Sequence, residues 1–137
     1  EIIVKKRKRT INRNRSFYTP KGKESAKDIL TAINNNLSII LLIDQKDSAG
    51  DNVNFFNNLV KTQTGFLKIA RKYNIKLIPV KNTRNKNNNF IINFCKPIRP
   101  FENNSSDIEA MNIIHKIIEK WIIENPDQWF WQHNRFN

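Results

Sequence analysis

Cysteine is almost missing from this sequence: among 137 residues only Cys95 carries a thiol. One thiol closes no internal disulfide and builds no Cys-rich zinc site, so stapled secreted scaffolds and zinc fingers are excluded and a reducing compartment is expected. Long hydrophobic runs are missing too. The longest unbroken apolar stretch is residues 39–43, far short of the roughly 20 residues that cross a bilayer. Glycine is scarce, with three residues, and acids number 12 against 24 Lys and Arg. The sequence opens at Glu1 with no initiator Met and no apolar leader, and reads as an excerpt of a longer polypeptide. Its length fits one compact domain over residues 1–137.

What is abundant is Asn, Ile and Lys, together 59 of the 137 residues. All three have A/T-rich codons, so base composition supplies many of the surface lysines and the formal charge of +12 is a weak sign of an anionic partner. The excess is local. Residues 1–23 hold nine Lys and Arg against one acid, net +8, and the other 114 hold fifteen against eleven, net +4. The run Lys5-Lys6-Arg7-Lys8-Arg9, then Arg13 and Arg15, offers phosphate oxygens several donors, two at a time from each guanidinium. A solvated basic face is the plain alternative.

Hydrophobic spacing gives the elements. Ile2, Ile3 and Val4 suit the end of a helix, and Pro20 and Gly22 mark a turn after Phe17-Tyr18-Thr19. Ser25 caps a helix in which Ala26, Ile29, Leu30 and Ile33 share a face, ending at Asn34-Asn35-Asn36. Residues 38–44 read as a strand buried on both faces of a parallel sheet, with Asp44 at its carboxyl end. Residues 53–56 give a brief strand, and Thr62 or Thr64 caps a helix with Phe66, Ile69, Ala70 and Tyr73 on one face. Residues 76–81 and 90–95 predict a hairpin with an Asn-rich tip, with Pro79 at an edge, a bulge or a strand exit. Ser105-Ser106-Asp107 caps a long helix over 108–123, buried along Met111, Ile114, Ile118, Trp121 and Ile122. Asn125-Pro126 ends it and starts a last turn. This order predicts an α/β fold: a mixed, largely parallel sheet flanked by helices and incomplete at its N-terminus. Ligands in such sheets gather beyond the carboxyl ends of the strands, where Asp44 lies.

A metal-dependent nuclease would need a second carboxylate beside Asp44, and Asp28, the upstream candidate besides Glu24, falls on a helix. His115 has no Cys or His partner nearby and reads as a packed or surface histidine. The ending Gln128-Trp129-Phe130-Trp131-Gln132-His133-Asn134-Arg135-Phe136 either completes a core or forms a membrane-interface belt.

The segments, taken in order, resemble the carboxyl-terminal part of the bacterial lipid A biosynthesis acyltransferases, the lauroyl/myristoyl branch of the lysophospholipid acyltransferase superfamily. Ile43-Asp44-Gln45-Lys46 followed by Phe55-Phe56 resembles that family's Asp-Gln block and its Phe-Phe. Leu77-Ile78-Pro79-Val80 is similar to its strand with a late proline. Pro126, Gln128, Trp129, Trp131, His133, Arg135 and Phe136 match its closing pattern, the most specific signal. The basic cluster before Pro20-Lys21-Gly22 resembles its basic block, in which Arg7 or Arg9 takes the place of the family arginine. Asn57 stands where the family usually has Gly, and Asn134 where it has a basic residue.

The resemblance implies transfer of a fatty acyl chain from acyl carrier protein or acyl-CoA to a hydroxyl of a lipid A precursor, at the cytoplasmic face of the inner membrane. It implies no cofactor, no metal and no nucleic-acid partner. The family's base, a His followed five positions later by Asp or Glu, is not here: five positions after His115 stands Lys120, and His133 is four residues from the end. That motif and a membrane anchor are expected upstream. Arg7 and Arg9 would meet the oxyanion or a phosphate, and Asp44 and Gln45 would border the acceptor or the base. Pro79 would shape the adjoining wall, and His133 and Arg135 would meet anionic head groups. The acidic carrier protein would be steered by the basic patch, and the membrane surface is a further partner. A basic nucleic-acid-binding module is the rival reading, with its aromatics and arginines on one exposed surface and a steep loss of binding with salt.

Overall fold

In a computed structural model of the chain, the structure describes residues 23–101 and 104–136. The chain divides into two compact units, residues 1–41 and 42–137. In the first, helix α1 spans Lys23–Asn34; of the predicted face Ile29 and Ile33 are half-buried while Ala26 and Leu30 are exposed, and the buried residue is Ala32. Its end is a Schellman motif. The Leu37 amide donates to Ala32 at 2.8 Å and the Asn36 amide to Ile33 at 3.0 Å, with Asn36 at φ 53°. Orphan carbonyls of the last turn are thereby satisfied, and asparagine takes the left-handed position usually given to glycine.

The second unit is built on two hairpins and a long helix. β1 (Asp51–Phe55) pairs antiparallel with β2 (Asn58–Thr62). Phe56 and Asn57 form a two-residue turn with φ 49° and 61°, the geometry whose twist matches the strands it joins. Helix α2 (Gly65–Lys72) follows and closes on a second Schellman motif, with Asn74 at φ 51° and the Ile75 amide on the Ala70 carbonyl at 2.8 Å. β3 (Val80–Arg84) pairs antiparallel with β4 (Phe90–Phe94). At their tip the Asn85 carboxamide oxygen accepts from the amides of Asn87 and Asn89, both at 2.9 Å. Helix α3 (Asp107–Glu124) starts in a capping box of Ser106 and Glu109, which satisfies two orphan amides reciprocally. A single 3₁₀ turn, Pro126–Gln128, succeeds it.

Alternation along the first hairpin sets the core. Val53 and Phe55 of β1 and Val60 of β2 turn inward onto Ala110, Met111, Ile114, Ile118 and Ile122 of α3, joined by Phe66 and Leu67 of α2. The second hairpin meets α3 through a Lys81–Glu124 ion pair at 2.7 Å. It also meets the 3₁₀ turn, where the Gln128 carboxamide accepts from the Arg84 amide at 2.7 Å and donates to the Arg84 carbonyl at 3.1 Å.

The α/β mix agrees with expectation, but the largely parallel sheet does not: the described strands form two separate two-stranded antiparallel sheets. Residues 38–44, expected as its buried strand, have no regular secondary structure, and Ile40 and Leu42 are 91% and 67% exposed. A strand of that kind needs paired neighbours and a covering layer on each face. Both hairpins instead satisfy their ladders internally, so the apolar run has no strand beside it among the described residues. β2 was not anticipated, because Thr62 is the last residue of that strand and not a helix cap. The predicted strand 76–81 is displaced to 80–84. Pro79 lies just before it, where the ladder continues through its carbonyl, accepting from Cys95 at 2.9 Å, and through the Leu77–Ile98 bridge.

Candidate functional site

Phe55 is the hub on which the closing residues converge. It is 1% exposed, and four rings surround it: Phe56 at 5.0 Å, His115 at 4.9 Å, Trp129 at 6.1 Å and Phe136 at 5.8 Å between centroids. The Arg135 guanidinium lies 5.3 Å from the same ring, within range of an attraction between cation and ring face. The closing segment is thus anchored on Phe55, the first ring of the Phe55-Phe56 pair.

Arg135 is 2% exposed. Its Nη1 donates to the Lys61 carbonyl at 2.7 Å and its Nη2 to Thr62 Oγ1 at 2.6 Å, while Nε is buried with no hydrogen-bond partner. Burial pulls this guanidinium below its ordinary value, and the Asp44 carboxylate opposes the shift. Asp44 and Arg135 are therefore brought together electrostatically. The loop that starts at Asp44 is held further along. The Lys46 amide donates to His133 Nε2 at 3.0 Å, and the Asp47 amide donates to the Lys61 carbonyl at 3.2 Å, the same oxygen that Arg135 uses. Gly50 ends the loop against β2, where a Cβ would fall on the Thr62 carbonyl. Only glycine allows that approach.

Beneath this lies a polar layer. His115, on α3, is 1% exposed. Its Nδ1 donates to the Asn54 carbonyl at 2.6 Å, which leaves Nε2 as the acceptor facing Arg135 Nη2 at 3.4 Å and Thr62 Oγ1 at 3.5 Å. Burial first, then the Arg135 charge, lowers the pKa of this imidazole, against the contrary effect of the Asn54 bond. One helical turn on, Glu119 accepts the Phe56 amide at 2.8 Å and pairs with Lys116 at 2.7 Å. Burial pushes its carboxyl up, but those two bonds and the positive charge around it bring it net below the ordinary value.

Of the residues expected at a site, Asp44, His133 and Arg135 come together around loop 44–47. Gln45 is exposed beside them in the chain. Pro79 makes its hydrogen bond within the second hairpin. Arg7 and Arg9, with the basic arm, lie outside the described residues. His115 is packed, as its isolation suggested. Thr62, Glu119 and Gly50 were not anticipated. Their sequence signals are faint: Thr62 alternates with Val60, and Glu119 stands four residues after His115 inside an isoleucine stripe. The aromatic ending is part buried and part exposed. Trp129 packs on the core, while Phe130 and Trp131 are 68% and 58% exposed. Trp131 and Phe136, with Phe56 and Asn58, line an open apolar cleft of about 310 Å³.

Among the described residues no three His, Cys, Asp or Glu side chains are grouped to hold a metal ion, and no helix is long and apolar enough to cross a membrane. The family model described as bacterial lipid A biosynthesis acyltransferase matches residues 5–137. No curated protein matches the chain.

Proposed function

Because the chain belongs to the bacterial lipid A biosynthesis acyltransferase family, we propose that it serves the transfer of a fatty acyl group from acyl carrier protein or acyl-CoA to a hydroxyl of a lipid A precursor. In that reaction a base takes the hydroxyl proton, the oxygen attacks the thioester carbonyl, and the tetrahedral oxyanion collapses with loss of the thiolate, which receives the proton. Neither histidine here is free to be that base. His115 is buried and bonded to Asn54, and the Nε2 of His133 is taken by the Lys46 amide. In this reading the base and its acid partner belong to a His-x-x-x-x-Asp/Glu motif that these 137 residues do not contain.

Asp44 and Gln45 border the acceptor in this reading, and Arg7 and Arg9 stabilise the oxyanion or grip a phosphate. Arg135, with both Nη atoms used inside the fold, serves by holding the loop and β2. Exposed Phe130 and Trp131 suit an interfacial position at the cytoplasmic face of the inner membrane. The single observation that carries the reading is the junction of the two motif blocks, residues 44–46 and 133–135, through the Lys46–His133 bond within a chain matched by the family over 5–137.

The test is a transferase assay with labelled acyl carrier protein or acyl-CoA and a lipid A precursor. It compares the 137 residues alone with a polypeptide that carries a His-x-x-x-x-Asp/Glu module ahead of residue 5. Transfer is expected only from the second. Transfer by the first would put the base inside this chain, and none from either would overturn the reading.

A further inference from the structure

Two consecutive amides of the loop after Asp44 point at groups from distant parts of the chain. The Lys46 amide meets His133 Nε2 at 3.0 Å, and the Asp47 amide meets the Lys61 carbonyl at 3.2 Å. The second grip is independent of protonation, because a backbone carbonyl accepts at any pH. The first is not. An imidazole nitrogen accepts an N–H only through a lone pair, so the neutral ring must carry its proton on Nδ1, and imidazolium has no acceptor at all. Protonation would also set a ring N–H against the Lys46 N–H, two donors facing each other.

We propose that His133 is a positioning residue: its neutral imidazole fixes the backbone at Lys46, and through it the orientation of Asp44 and Gln45, and protonation of the ring releases that hold. The inference rests on the preceding one only in giving Asp44 and Gln45 a part in acyl transfer. The three elements joined at this bond carry charged residues: Asp44, Lys46 and Asp47 on the loop, Lys61 on β2, and Arg135 on the closing segment. Arg135 stays cationic throughout, with its two bonds to β2 intact, so the release is confined to the loop. The His133 amide bond to Phe130 at 3.1 Å keeps the imidazole's own backbone in place as the ring titrates.

The test is solution NMR on the ¹⁵N-labelled chain between about pH 5 and 8, following the Lys46 amide beside the His133 ring protons. The Lys46 amide shift is expected to titrate with the midpoint of the His133 ring, and its exchange protection to fall about tenfold on the acid side. Asp47 protection should not change. His133→Gln, whose side-chain oxygen can accept without titrating, should keep Lys46 protected and abolish the pH dependence. His133→Ala should lose the protection at every pH while the Leu67 and Ile114 amides remain protected. If that variant unfolds, the wild-type titration and the Gln variant decide. A Lys46 amide indifferent to the His133 titration overturns the proposal, as does a Gln variant that behaves like Ala. None of these outcomes depends on transferase activity, which the assay above judges separately.

Discussion

Arg135 donates to the carbonyl of Lys61 at 2.7 Å across 74 positions of chain, and Lys61 passes the constraint on, since the same oxygen accepts the Asp47 amide. One buried cation thus ties the end of the chain to a strand and, through that strand, to the loop after Asp44. Its fork spans two acceptors, a geometry that an ammonium does not reproduce. Arg135→Ala should lower stability by about 3 kcal/mol and Arg135→Lys by about 1–2 kcal/mol in urea denaturation. Equal losses in the two variants would show that charge alone, and not the fork, does the holding.

His115 gives acid sensitivity with a definite sign. Its pKa is lowered in the folded protein from the ordinary 6.5, so the unfolded chain takes up its proton first as pH falls. The stabilisation is complete above about pH 6.5 and is lost progressively as pH falls toward the folded-state value, by at most about 1.4 kcal/mol per pH unit. His115→Gln should flatten that part of the stability profile. Melting temperatures from pH 8 to pH 5 check it, and a variant that keeps the full slope would assign the effect to another group.

Gly50 has no room for a side chain against the Thr62 carbonyl. Gly50→Ala should force the loop off β2, cost about 1–3 kcal/mol, and raise amide exchange at Asp47. A stable variant with Asp47 still protected would mean that the strand yields and the loop does not.

Asn57 sits at φ 61° in the first hairpin turn. Asn57→Gly should be neutral or slightly stabilising, whereas Asn57→Val should cost about 1–2 kcal/mol, since a β-branched residue resists the left-handed region. Thermal melts of the pair separate this from any general effect of shortening the side chain.

How far the sequence disclosed this molecule follows from which forces are local. The caps and stops were legible: Ser106 opens α3 and Asn34 closes α1, because capping depends on near neighbours in the chain. Asn36, Asn57, Asn74 and Asn88 explain how a chain with three glycines still turns left-handed corners. The hydrophobic stripe of α3 was legible for the same reason of period. Strand partnership was not, since residues 39–43 carry the composition of a buried strand whatever stands beside them. β2 escaped because Asn58, Lys61 and Thr62 alternate too weakly to outweigh the helix-cap signal at Thr62. In the candidate site, the family resemblance named Asp44, His133 and Arg135, which the structure brings together at one loop. That a histidine nitrogen would take up a main-chain amide 87 positions away has no periodic signature.

The carboxamide of Gln128 occupies both hydrogen-bonding groups of Arg84, as the peptide of an adjacent strand would. That rung of β3 is spoken for. A strand annealing to this border from elsewhere has to stop short of Arg84 or evict a side chain rooted in the 3₁₀ turn. A glutamine can therefore act as the terminus of a sheet, marking where its lateral growth ends without adding another strand.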